Sequence, residues 1–358
     1  MKPGRLAYID SMRGIAALLV VWMHNFQPIA TGALRDLIYD VVDPGKVGVI
    51  VFFAISGFVI PYSFPRGPAP IARFTVSRIL RLYPAYWLSM VAWIALMAIA
   101  GEALPSARTI LANVTMAQTA LGQPNIIGIY WTLFIELLFY VSCAVAFALG
   151  LLYSARFVFA ASIGFLVIAL LLAVARFYLE RKAPVAVPLS LSIMFWGTLW
   201  REATLNQSAQ HRRYAYWMLA LYLVAMPPIS LLAYDIDLGL EEYWVRYMLS
   251  YYIALALFML LSTRIRMEGR TAVWLGRISY SLYLFHNHAK KAIDLVADAF
   301  APGLNALARI ALAVALSLVL AHAIFHVLEK PAIELGKRIN RAIADRAPRG
   351  AAPVSLDP

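Results

Sequence analysis

Apolar residues fall in long runs separated by short polar clusters, and the length of the runs decides what kind of helix they form. A hydrocarbon core about 30 Å thick takes about 20 residues of helix. Runs of that order lie at Gly14–Ala30 and near 47–64, 84–101, 129–150, 156–177, 187–201, 214–234, 244–262, 272–289 and 304–327. The expected fold is an all-α polytopic membrane protein with about ten transmembrane helices. The first run carries His24 in its middle and no small-residue cleavage site follows it, so it reads as a retained helix rather than a signal peptide. Two runs, 187–201 and 272–289, are short or interrupted by polar residues and need protein neighbours rather than lipid.

An even number of spans puts both termini on one side, and the basic residues say which. With the N-terminus inside, 21 of the 31 Lys and Arg residues fall on inner segments, while the outer loop 235–243 holds Asp235, Asp237, Glu241 and Glu242 and no base. The positive-inside rule therefore predicts that both termini are cytoplasmic. Composition agrees: 62% apolar, 14% charged and a mean hydropathy of +0.73 do not describe a soluble domain, which runs about 45–50% apolar and 25% charged. The net charge of +12 thus reports topology, and nucleic acid is not an expected partner. The single cysteine, Cys143, excludes an intramolecular disulfide and a Cys-based zinc cluster. Residues 1–331 read as one membrane domain. Residues 332–358 read as a basic cytoplasmic tail that opens amphipathic and ends in partly disordered Ala/Pro-rich sequence. The connection near 102–128 suits an interfacial helix or a re-entrant lid.

Ionisable residues inside lipid are costly and mark sites by default. Arg13 opens the first helix and His24 follows eleven residues on, about 16.5 Å further along the axis, which sets the arginine at the inner interface and the histidine near mid-bilayer. Arg78 and Arg81 are three apart, with no acid between Tyr62 and Glu102, and such a guanidinium pair suits an anionic, phosphate-bearing ligand. Glu136 lies six residues, about 9 Å, below Tyr130 at the expected outer end of its helix, so it is expected to be approached from outside. Ser279, Tyr283 and His286 share a helical stripe beside Asn287, and His288 and Lys290 are expected to reach outer water. Glu329 is expected to pair with an inner arginine. His322 and His326 are one turn apart, but no HExxH pattern or acidic partner accompanies them, so no metal is expected.

Six stretches in order carry a resemblance. Asp10-Ser-Met-Arg13-Gly with His24, Phe52-Phe53-Ala-Ile-Ser56-Gly57-Phe58, Arg78-x-x-Arg81-x-x-Pro84, Trp131-x-Leu-x-x-Glu136-x-x-Phe-Tyr140, Tyr280-Ser-Leu-Tyr283-Leu-Phe-His286 and Phe325-His-x-x-Glu329-Lys-Pro331 resemble the motifs of membrane acyltransferase family 3 across about residues 5–335. The resemblance implies a multi-pass enzyme of the bacterial inner membrane. Such an enzyme moves an acyl group, usually acetyl, from cytoplasmic acyl-CoA to a hydroxyl of a cell-surface or lipid-linked glycan. It makes His24 the catalytic histidine, as base or acyl carrier, and gives Arg13, Arg78 and Arg81 to acyl-CoA. Glu136 joins His24 as a catalytic candidate. Ser279, Tyr283, His286 and Asn287 are candidates for the acceptor pocket, and Asp10, Ser56, Tyr140 and Glu329 for structural support beside the site. Acyl-CoA is a co-substrate, and no tightly bound cofactor is expected.

The chemistry is consistent with that reading. Transfer from a thioester to a sugar hydroxyl needs a base near neutral pKa, which imidazole supplies, and cationic or hydrogen-bonding groups for the oxyanion and the CoA phosphates. The rival class is a proton-coupled transporter or flippase of a lipid-linked sugar, which uses the same residue types. Against it, the arginines gather at one face and no symmetric pair of broken helices occurs.

Overall fold

The computed structural model describes residues 6–235 and 243–346. The described residues contain no strand; they form thirteen α-helices: α1 (Ala7–Phe26), α2 (Gly32–Asp36), α3 (Pro44–Val59), α4 (Pro70–Ile99), α5 (Ala107–Val114), α6 (Tyr130–Ala148), α7 (Ala155–Leu179), α8 (Ala186–Leu205), α9 (Ala209–Tyr234), α10 (Trp244–Thr263), α11 (Arg270–Phe300), α12 (Ala306–Ile324) and α13 (Lys330–Arg346). Each of the ten expected runs falls on one of them. Lys2, Arg5, Asp237, Glu241, Glu242, Arg349 and the tail from residue 347 lie outside the described residues. The tail's opening stretch is the helix α13.

Among the described residues, seven helices are long and apolar enough to cross a membrane, against about ten expected: α3 with its following 3₁₀ turn, α4, α6, α7, α9, α10 and the run from α12 through α13. The other three expected spans, α1, α8 and α11, carry charges or histidines along their length, which lowers their hydropathy. They are also wrapped in protein. Most of α1 and α8 is buried, and in α11 the stretch 278–289 is buried apart from the half-buried Tyr280 and Asn287. The polar side chains of α1, α8 and α11 are thus largely enclosed by protein.

The chain forms two compact units. The first comprises residues 1–62 and 145–276 and includes α1 to α3 and α7 to α10. Its helices meet at glycines. A Cβ at Gly48 of α3 would lie 2.4 Å from the Ala16 carbonyl of α1, and one at Gly57 would lie 1.8 Å from the Met194 carbonyl of α8, where Gly197 faces α3 in turn. Gly14 and Gly276 bring α1 against the start of α11 in the same way. Without a hydrophobic drive between helices in lipid, such close backbone approach is what holds a bundle. Hydroxyls add to it: Ser192 and Tyr222 hydrogen bond at 2.8 Å, and Thr198 donates to the Gly57 carbonyl at 3.1 Å. Bonds of this kind contribute about 0.6 kcal/mol each on average. Trp196 is fully buried between them, with Phe258 5.6 Å away and its Nε1 donating to the Ala215 carbonyl.

The second unit comprises residues 63–144 and 277–358. Its spine is the 30-residue α4. The segment between α4 and α6 folds back along that spine. Tyr83 donates to the Thr115 carbonyl, Tyr86 to Asn113 and Trp87 to Val114, and Asn113 closes the loop on itself by donating to Pro124 and accepting from the Ile126 amide. The connection therefore returns along α4, with the short helix α5 within it. Its consequence is that α6 begins deep. Tyr130, its first residue, hydrogen bonds Ser89 and lies 4.6 Å from the Tyr86 ring. Those residues are ten and thirteen positions before Ile99, about 15–20 Å along the axis.

Candidate active site

In the first unit, α1 positions His24, Arg13 and Asp10. The His24 Nδ1 lies 2.9 Å from the Val20 carbonyl, one turn back. A carbonyl only accepts, so this bond puts the proton on Nδ1 and makes Nε2 the nitrogen with the lone pair. Arg13 lies 3.9 Å from Asp10, and Asp10 is 7% exposed, with its own backbone packed on Gly276. Ser56 is half-buried and precedes Gly57, so it stands at the α3–α8 crossing. Two arginines that sequence reasoning counted only toward topology also pack on aromatic rings of this unit. Arg201 donates to the Phe58 carbonyl at 3.1 Å and lies 4.3 Å over the Tyr62 ring, and Arg266 lies 4.9 Å over Tyr8.

In the second unit, Arg78, Arg81, Glu136, Tyr140 and Glu329 come together. The Arg78 guanidinium sits over Phe74 at 5.3 Å and Tyr140 at 5.6 Å. Tyr140 donates to Glu136 at 2.5 Å and also feels the charge of Arg81. The π-helical turn Phe325–Glu329 between α12 and α13 turns Glu329 inward, where it is 3% exposed, accepts from Ser281 and interacts with Arg81.

The depth expected for Glu136 does not agree. Counted from an outer helix end it would face the opposite side from Arg78 and Arg81, whereas Tyr140 places it among them. The reason is the connection's return along α4, which starts α6 beside Tyr86 and Ser89 rather than at the end of that helix. His288 is a second correction. Expected in outer water, it is 3% exposed, donates from Nε2 to the Ser89 carbonyl at 2.8 Å and meets the Trp93 ring edge-on at 5.2 Å.

The four candidate acceptor residues do not form one group. Ser279 is buried; Tyr283 exchanges a hydrogen bond with Thr132 at 2.9 Å; His286 is fully buried and donates from Nδ1 to the Tyr283 carbonyl. Asn287 instead lines an open cavity of about 360 Å³ near Trp93. From the Arg81 position to Trp93 is twelve residues of α4, about 18 Å. Tyr86, Tyr130 and Tyr283 occupy the stretch between.

A family model described as an acyltransferase domain matches residues 6–326. The chain belongs to this acyltransferase family. It is 26% identical over 148 residues to Acyltransferase MdmB of Streptomyces mycarofaciens, a stretch that covers 38% of each chain. Over 94 residues it is 32% identical to Protein 2 in picA locus of Rhizobium radiobacter, covering 25% of this chain and 44% of that one. The match therefore spans less than half the length of either relative. No solved structure matches the chain. The matched family is one of acyltransferases, and the apolar helices make the chain a multi-pass membrane protein. Both the histidine of α1 and the arginine–carboxylate group of the second unit lie within the matched residues, apart from Glu329 just beyond them.

Proposed function

We propose that this acyltransferase takes an acyl group, acetyl in the first instance, from cytoplasmic acyl-CoA and delivers it to a hydroxyl of a cell-surface or lipid-linked glycan. The observation that carries the reading is the His24 Nδ1 bond to Val20, which leaves Nε2 as the basic nitrogen. Nε2 removes the acceptor proton as the acceptor oxygen attacks the thioester carbonyl. The C–S bond then breaks, and the imidazolium returns the proton to the leaving thiolate. The same nitrogen is equally suited to attack the thioester itself and carry the acyl group.

Arg13, Arg78 and Arg81 serve the CoA phosphates, and Glu136, held by Tyr140, joins His24 in the transfer step. Glu329 and Asp10 are positioning residues. We further propose that α1, α8 and α11 cross the bacterial inner membrane inside a protein sheath, which gives ten crossings with both ends cytoplasmic. Purified protein supplied with acetyl-CoA labelled in the acetyl carbon tests the reading. Label should pass to a saccharide acceptor, or be trapped on the protein when acceptor is withheld if the histidine carries it. Label that stays on CoA with every saccharide offered would remove the assignment.

A further inference from the structure

The cavity at the Trp93 end of α4 lies within the second unit and has no part in the chemistry derived above. Its wall is Trp93 and Glu102 from α4 and the turn that follows, and Asn287, Lys290, Lys291 and Asp294 from α11. At about 360 Å³ it falls at the small end of the range for ligand sites, about 300–1,000 Å³.

Its charges are already matched. Lys291 bonds Glu102 at 2.5 Å, Lys290 lies 3.7 Å from Asp294, and Arg309 pairs with Asp298 at the rim at 2.6 Å. A charged ligand would have to break one of these pairs. A hydroxyl would not: it donates to a carboxylate lone pair that the ammonium leaves over, and accepts from an ammonium proton that the carboxylate leaves over. The Asn287 amide offers both functions again.

The remaining surface is the Trp93 indole and the Leu295 side chain. Trp93 has the Lys291 ammonium 5.0 Å from its ring centre and the His288 imidazole at its edge. His288 is in turn fixed to the Ser89 carbonyl, so the indole is held as a rigid apolar wall beside polar groups. A ligand with one apolar C–H face and a rim of hydroxyls meets both demands. Sugar rings have that form.

We propose that this cavity is a binding subsite for an uncharged sugar ring of the acceptor. The inference deepens the proposed function and rests on its glycan acceptor. It divides the second unit into an anion-handling end at Arg78 and Arg81 and a saccharide-holding end at Trp93, about 18 Å apart along α4. His288 is a positioning residue for the indole.

Saturation-transfer NMR on the full chain in nanodiscs tests it, with maltotriose and cellotriose as neutral probes and glucuronic acid and glucose 6-phosphate as charged ones. Ring protons of a neutral probe should receive saturation from the wild-type protein. The signal should fall at least fivefold in Trp93→Ala and, in case that variant unfolds, in the near-isosteric Asn287→Leu. Equal signal in variants that remain folded, no transfer to either neutral probe, or stronger transfer to a charged one would overturn the proposal. Acetyl-CoA titration of the same samples separates the two readings. Saccharide binding without acetyl-CoA binding counts against the proposed donor and leaves the subsite standing, and the reverse counts against the subsite alone.

Discussion

Tyr140 donates its hydroxyl hydrogen to Glu136 at 2.5 Å, one turn back along α6, while its ring lies 5.6 Å from the Arg78 guanidinium. One side chain thus couples the carboxylate and the arginine of the second unit. Tyr140→Phe separates the two contacts, because phenylalanine keeps the ring and loses the donor. A hydrogen bond to a charged group contributes about 1.5–3 kcal/mol. Transfer at saturating acetyl-CoA should therefore slow by roughly tenfold or more, with the dissociation constant for acetyl-CoA little changed. Steady-state kinetics and calorimetry on the same preparation check the split. A variant that loses affinity and keeps its turnover would show that Tyr140 serves the arginines instead.

Arg13, Arg78 and Arg81 should each be needed for acyl-CoA affinity. Alanine at all three should weaken acetyl-CoA binding by roughly a hundredfold or more, since hydrogen bonds to charged groups contribute about 1.5–3 kcal/mol each. Lysine at Arg78 and Arg81 should restore part of it, because a point charge cannot reproduce two-pronged phosphate contacts. Unchanged affinity in the triple variant, measured by calorimetry, would return these arginines to topology.

The glycine crossings predict where bulk cannot be added. At Gly57 a methyl group would fall 1.8 Å from the Met194 carbonyl, and backbone on both sides leaves nothing flexible to give way. Overpacking costs about 1–3 kcal/mol even where side chains can move, so Gly57→Ala should lower the thermal midpoint in detergent by several degrees. A methyl group at Gly164 of α7 would meet nothing within 4 Å, and Gly164→Ala should be neutral or stabilising by about 0.5–1 kcal/mol. Equal midpoints for the two variants would contradict the packing described.

Much of this architecture is legible in the chain. Run length alone marks ten helical segments, because a residue in lipid has no choice but to be apolar over a fixed span. Span counts by hydropathy fall short at α1, α8 and α11 for the converse reason: a helix enclosed by other helices can carry Asp10, His24, Arg201 or His286. Glu136 stands out in the chain as a carboxylate with no structural excuse, and His24 as an imidazole in the middle of an apolar run. Depth is what the sequence hides. The 102–128 segment is polar enough to be a surface loop, and only the bonds of Tyr83, Tyr86 and Trp87 to its backbone reveal that it folds back along α4. That one turn of the chain moves Glu136 to the arginine end. His288 is hidden by its neighbours, because Lys290 and Lys291 just after it suggest water, while the imidazole itself turns inward to Ser89. An aromatic at Trp93 opposite polar positions of α11 is the available signal for the cavity, but two helices distant in sequence give no register between them.

The central claim is that acyl transfer runs through the imidazole of His24. Its most direct measurement is single-turnover transfer from labelled acetyl-CoA to saccharide by His24→Ala beside the wild-type protein, both shown to be membrane-inserted and to bind acetyl-CoA. The account predicts product from the wild type and none above background from the variant. Product at a near-wild-type rate from His24→Ala would contradict it.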